Sequence, residues 1–150
     1  MATKFDTIID MALVTIQDYK LDNLYDKDQK NFLTITTAFL LKGLPNFVSC
    51  RKSLSYNIEA RTFDSDFDEL EISILADLWA YEWFKFHVQN VTQFENKMTP
   101  SDFKHFSEAQ NLKEKSEYLD RLREKYSQKI VEYQLNNIDW ASWSNGNYGL

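Results

Sequence analysis

The segment FDELEISILADLWAYEWFKFHVQNV, residues 67–91, decides the fold. Leu70, Ile74, Leu75, Leu78, Trp79, Tyr81, Trp83, Phe84 and Phe86 recur at helical spacing but cover more than one stripe, the pattern of a helix contacted on several sides. Glu69, Glu71 and Asp77 fall near its beginning, where they complement the helix dipole. Asp64, Ser65 and Asp66 just before it are N-cap candidates. A long central helix from Phe67 to about Val91 is therefore expected, with the rest of the chain packed around it. The fold class that follows is all-α, a small helical bundle of about four helices.

Upstream, Phe5, Ile8, Ile9, Ala12, Leu13, Ile16 and Tyr19 form an apolar stripe, with Asp6, Asp10 and Asp18 off it, which marks a first amphipathic helix. Leu21 to Asp28 is polar and rich in Asp, so it reads as a connection, and Asp26 or Asp28 can cap the next helix. Phe32, Leu33, Ile35, Phe39 and Leu40 mark that second helix, whose propensity Thr34, Thr36 and Thr37 lower. Gly43 is placed to close it in the left-handed conformation, with Leu44 as packing contact and Pro45 blocking continuation.

Beyond Pro45 the period changes. Leu54, Tyr56, Ile58 and Ala60 alternate with Ser53, Ser55, Asn57, Glu59 and Arg61, as in a half-buried extended segment. An extended arm or short β-hairpin is expected over about 51–66. A lone hairpin is marginal in water, so the arm must pack on the helices or pair with another chain.

After the central helix, Thr99-Pro100-Ser101-Asp102 carries a cap, a proline at the first helical position and a carboxylate three residues on. Ser107 and Gln110 repeat the capping-box spacing, so a short turn precedes a longer helix or the two are continuous. Ala109, Leu112, Ser116, Leu119, Leu122, Tyr126, Ile130 and Tyr133 recur about every 3.4 residues, near the coiled-coil period, and predict a long packing seam. From Asn136 the composition shifts to NNIDWASWSNGNYGL, which reads as a non-helical C-terminal tail. Domain organisation is accordingly a helical body, 1–135, and a docking tail, 136–150. Trp140, Trp143, Tyr148 and Leu150 are costly to leave in water. The tail either folds back on its own bundle or docks on a neighbour, as Trp and Tyr anchors do.

The 150-residue chain is of one-domain size. Eleven Phe, eight Tyr and four Trp exceed what a small core needs, so some of them are expected to meet another molecule. The formal charge of −6 is concentrated in residues 67–96, where six acids face Lys85 alone. This reads as the solvated side of a helix, or as an acidic surface that repels DNA or meets a basic partner. Arg51, Lys52 and Arg61 are the only local basic cluster, and no stripe tracks a nucleic-acid backbone. No apolar run approaches the ~20 residues of a membrane span, and the first residues have no leader pattern. A single Cys50 fits a reducing compartment. His87 and His105 lack metal-ligand spacing, and no glycine-rich phosphate loop is present. Glu69, Glu71, Asp77 and Glu82 lack the Glu-x-x-His pairs of a carboxylate di-iron bundle. The expectation is a protein that is not an enzyme and uses no cofactor or metal.

The order of features resembles a known family. The Gly43-Leu44-Pro45-x-Phe47 break, the arm ending in Phe63 to Asp66, the run Asp68-Glu69-Leu70-Glu71-Ile72-x-Ile74-Leu75-Ala76-Asp77-Leu78-x-Ala80-Tyr81-x-Trp83-Phe84, and Met98-Thr99-Pro100-Ser101-Asp102-Phe103-Lys104-x-Phe106-Ser107-x-Ala109-x-x-Leu112 are similar to head-tail connector (portal adaptor, head-completion) proteins of tailed phages. The resemblance covers about residues 30–135. It implies a structural virion protein of the phage neck, made in the host cytoplasm, whose partners are the portal protein and other neck or tail proteins. It implies too a homo-oligomeric ring of twelve subunits through which DNA passes without specific binding, with the acidic segment as channel lining. On that reading Trp140, Trp143, Tyr148 and Leu150 anchor to the portal, and Tyr56, Ile58, Arg61 and Phe63 on the arm contact an adjacent subunit. The alternative is a small helical phage protein that binds a host or regulatory protein partner.

Overall fold

The computed structural model describes residues 1–16, 19–95, 105–138 and 141. The fold is mostly helical. Five α-helices lie among the described residues: α1 (Phe5–Thr15), α2 (Tyr19–Lys27), α3 (Gln29–Gly43), α4 (Glu69–Glu95) and α5 (His105–Asn136). A 3-10 turn, Leu44–Asn46, and a two-stranded hairpin, β1 (Tyr56–Asn57) and β2 (Thr62–Phe63), lie between α3 and α4.

α4 packs against α1, α3 and α5, which explains its apolar residues on several sides. Trp79 is fully buried, and its indole N–H donates to the Thr36 carbonyl at 2.8 Å. Its ring stacks on Trp83 with centroids 5.7 Å apart, and Phe39 of α3 meets both edge-on. The aromatic load of this helix is therefore largely core. On α5, Leu122 and Tyr133 are buried, with Tyr126 and Ile130 half-buried between them, so the seam lies where the spacing predicts. α5 runs unbroken through Ser107 and Gln110; the expected start at residues 99–102 lies outside the described residues.

Three local expectations change. The Asp-rich stretch from Leu21 is helical rather than a connection, because Leu21 and Leu24, three residues apart, reach the core. Asp28 caps α3 by accepting from the Asn31 N–H at 3.2 Å. Gly43 is right-handed, with φ −75° and ψ −24°. What favours a small residue there is space: a Cβ would lie 3.3 Å from Leu78 Cβ, so this is where α3 and α4 approach closely. α4 is capped by Asp68, not by Asp64, Ser65 or Asp66. Asp68 Oδ1 accepts from the Glu71 N–H and Glu71 Oε2 from the Asp68 N–H, each at 2.8 Å, a reciprocal capping box.

Candidate functional site

The arm is a real hairpin but does not stand alone. Tyr56 pairs with Phe63 and Asn57 with Thr62. On its other edge β2 meets the N-terminal segment: the Phe63 N–H donates to the Thr3 carbonyl at 2.8 Å, and Lys4 bridges Thr62. Phe63 is wholly buried between Phe5 and Phe67, whose rings meet it edge-on at 5.0 and 5.1 Å. Its expected role as a contact for a neighbouring subunit is therefore replaced by one in its own core. The expected half-buried alternation is met only in part: Leu54 packs against the core and the Tyr56 ring meets Phe5 and Phe63 edge-on at 6.1 and 6.3 Å, but Ile58 and Ala60 are exposed along with Ser53, Ser55, Asn57 and Glu59. With strands of only two residues, the return strand supplies the burial and the outgoing one the surface.

Arg61 closes the turn. Its φ of 55° makes it the one left-handed non-glycine residue among the described residues, a conformation costing about 1 kcal/mol or more for a residue with a Cβ. Its guanidinium holds that position: one terminal nitrogen donates to Asp6 Oδ1 at 2.6 Å, the other to Thr37 Oγ1 at 2.6 Å. The planar fork thereby ties the turn to α1 and α3 at once. Arg61 is thus an internal clamp, while Tyr56 at 41% and Ile58 at 58% exposure form the arm's outer face.

At the arm's root the sequence reading missed a polar lock. Glu71 is 2% exposed. Besides closing the capping box, it accepts from Lys52 Nζ at 2.8 Å and from the Tyr133 hydroxyl at 2.9 Å. Tyr133 in turn accepts from the Arg51 N–H at 3.0 Å. Burial, together with the hydrogen bond to Glu71, pushes the Tyr133 phenol up to about 12; the hydrogen bond to Glu71 chiefly raises the Lys52 ammonium. Burial also raises the neighbouring Cys50 thiol, which disfavours the nucleophilic thiolate.

Two more carboxylates of α4 are buried and matched by lysines. Asp77 faces Lys129 at 2.6 Å and Lys125 at 3.6 Å, and Glu82 faces Lys42 at 3.8 Å. The acidic segment is therefore neither a solvated face at Glu71, Asp77 and Glu82 nor available there as a channel lining. Each carboxylate fastens a different neighbour, respectively the arm root, α5 and α3. A D-x-x-E cap signature at Asp68–Glu71 was the available signal for the first. The other two depend on lysines too distant in sequence for any local pattern.

Among the described residues no group of His, Cys, Asp and Glu is arranged to hold a metal ion, and no helix is long and apolar enough to cross a membrane. Lys129 Nζ also donates to Ser73 Oγ at 2.6 Å. With Asp77 equally close, this lysine joins Ser73 and Asp77 of α4 to α5. Trp140, Trp143, Tyr148 and Leu150 lie outside the described residues.

No protein-family model, curated protein or solved structure matches this chain. The likeness to head-tail connectors thus rests on the residue pattern alone. The candidate site is correspondingly a surface, the outer face of the arm, held by Arg61 at its tip and by Lys52 and Glu71 at its root.

Proposed function

We propose that this protein is a structural, non-enzymatic component of a tailed-phage neck, a head-tail connector that assembles as a ring on the portal and joins capsid to tail. Residues 1–135 form the subunit's body, a bundle organised on α4, and residues 136–150 its docking tail. The observation that carries the proposal is the arm: it is clamped at both ends to its own helices yet leaves Ile58 and one side of the Tyr56 ring exposed, so it offers a neighbour a preformed surface at low ordering cost. The family resemblance supplies the portal as partner. The buried carboxylates remove Glu71, Asp77 and Glu82 from any channel lining and leave the DNA path to other surfaces.

The test is co-sedimentation with purified portal. The full chain is expected to join it, and a chain ending at residue 135 to remain helical but stay in the supernatant. A full chain that forms a dimer and remains one in the presence of portal overturns the neck reading in favour of a helical module for another protein partner.

A further inference from the structure

An open cleft of about 290 Å3 runs between the hairpin turn and the outer side of α3. Leu33 and Ile58 give it apolar walls, 37% and 58% exposed. Lys30 and Arg61 against Glu59 leave its lining net +1 in an otherwise acidic chain. Arg61 is committed to Asp6 and Thr37, whereas the Lys30 ammonium has no carboxylate partner among the described residues. Such a cleft suits a short segment that carries one carboxylate beside one large apolar side chain and no cation to be repelled by Lys30.

The chain itself contains such a segment. An acid directly precedes Trp twice in the sequence, at Glu82-Trp83 and Asp139-Trp140. The first pair is buried in α4, and Asp139 is the only charged side chain in residues 136–150. α5 delivers the tail to the arm's root, where the Asn137 carbonyl accepts from Arg51, while the cleft lies at the arm's tip. We propose that the cleft receives Asp139 and Trp140 of a second copy of this chain, with Asp139 on Lys30 and the indole between Leu33 and Ile58. The inference rests on the reading that copies of this chain assemble. It leaves Trp143, Tyr148 and Leu150 for the portal.

The test uses a labelled peptide of residues 136–150 titrated into the full chain carrying Trp140→Ala, whose own tails lack the indole. Saturable binding is expected, weakened about tenfold by Ile58→Asp and by Lys30→Glu. Both positions are exposed, and unchanged thermal melts confirm that the variants fold. A peptide carrying Asp139→Lys should prefer the Lys30→Glu chain to the Lys30 chain. Absence of binding, or binding indifferent to both substitutions, overturns the inference. So does an unsubstituted chain that sediments as a monomer and refuses the peptide, because its own tail then fills the cleft. Portal binding separates the two readings: a chain that joins the portal while its cleft ignores the peptide loses this inference alone, and one that takes the peptide but never joins the portal loses the neck reading alone.

Discussion

The Tyr133 hydroxyl donates to Glu71 Oε1 at 2.9 Å, so the last turns of α5 are fastened to the first turn of α4 inside the molecule. Because the same hydroxyl accepts from the Arg51 N–H and Glu71 also holds Lys52, this one contact joins two helices and the arm root. Tyr133→Phe keeps the ring packing against Phe47 but leaves Glu71 and the Arg51 N–H each short of a partner. A loss of about 1–3 kcal/mol in urea unfolding is expected.

The same phenol makes stability depend on alkaline pH. It ionises near 10 in the unfolded chain and is pushed up to about 12 in the fold, so its contribution is complete below pH 10 and lost as pH rises through about 12. Two units correspond to about 2–3 kcal/mol. The raised Lys52 ammonium shifts stability the same way, its favourable pairing being lost as the lysine deprotonates. Unfolding midpoints measured from pH 8 to 12 should fall at the alkaline end, and Tyr133→Phe should flatten most of that slope. An unchanged slope would remove Tyr133 as its cause.

Asp77 is served by two lysines at unequal distance, Lys129 at 2.6 Å and Lys125 at 3.6 Å. Lys129→Met alone leaves Lys125 to compensate and should cost about 1 kcal/mol. Removing both leaves a buried carboxylate without a counter-ion, a situation worth about 3–5 kcal/mol when complete. The loss in Lys125→Met/Lys129→Met should therefore exceed the sum of the single losses, and a double-mutant cycle by chemical denaturation measures the excess. Strict additivity would show that the lysines act independently.

These networks mark how far the sequence was legible. α4 and the α5 seam follow from periodicity, and the Asp28 cap from its place before an apolar run, because each is a local relation. α2 was hidden because Asp22, Asp26 and Asp28 outweigh Leu21 and Leu24 in a composition-based reading, although burial of those two leucines decides the structure. Gly43 was assigned to a left-handed cap because glycine before proline commonly marks one; its actual reason, Leu78 on a helix 35 residues away, is tertiary. The acids of α4 look solvated in sequence because Lys52, Lys129 and Lys42 arrive from three different elements. On the arm, the pattern located the hairpin but not its depth of burial: Phe63 fills the core beside Phe5, whereas Tyr56 meets both rings edge-on and stays 41% exposed.

Gly43 allows that tertiary reason to be tested. In a right-handed backbone, Gly→Ala alone gains up to about 1 kcal/mol of helix propensity, but the new Cβ would press on Leu78 Cβ at 3.3 Å and on its backbone carbon at 3.4 Å. Gly43→Ala should therefore come out near neutral, the two effects offsetting. Gly43→Leu cannot be accommodated without separating α3 from α4, and overpacking of that kind costs about 1–3 kcal/mol or more. A stabilised Gly43→Leu chain would mean that the two helices do not meet at this point.

Arg61 separates backbone strain from side-chain clamping. Arg61→Ala removes the bonds to Asp6 and Thr37 and keeps a Cβ at φ 55°; Arg61→Gly removes the same bonds and relieves the strain. Both should destabilise, but Gly by about 1 kcal/mol less than Ala, the reverse of their order in an ordinary helix. Arg61→Lys retains a charge for Asp6 but not the fork that also reaches Thr37, so it should fall between Ala and the unsubstituted chain. Amide exchange at Phe63, whose N–H is bonded to the Thr3 carbonyl, reports the clamp directly. Faster exchange is expected in all three variants, and equal protection in Ala and Arg chains would show that the hairpin holds without Arg61.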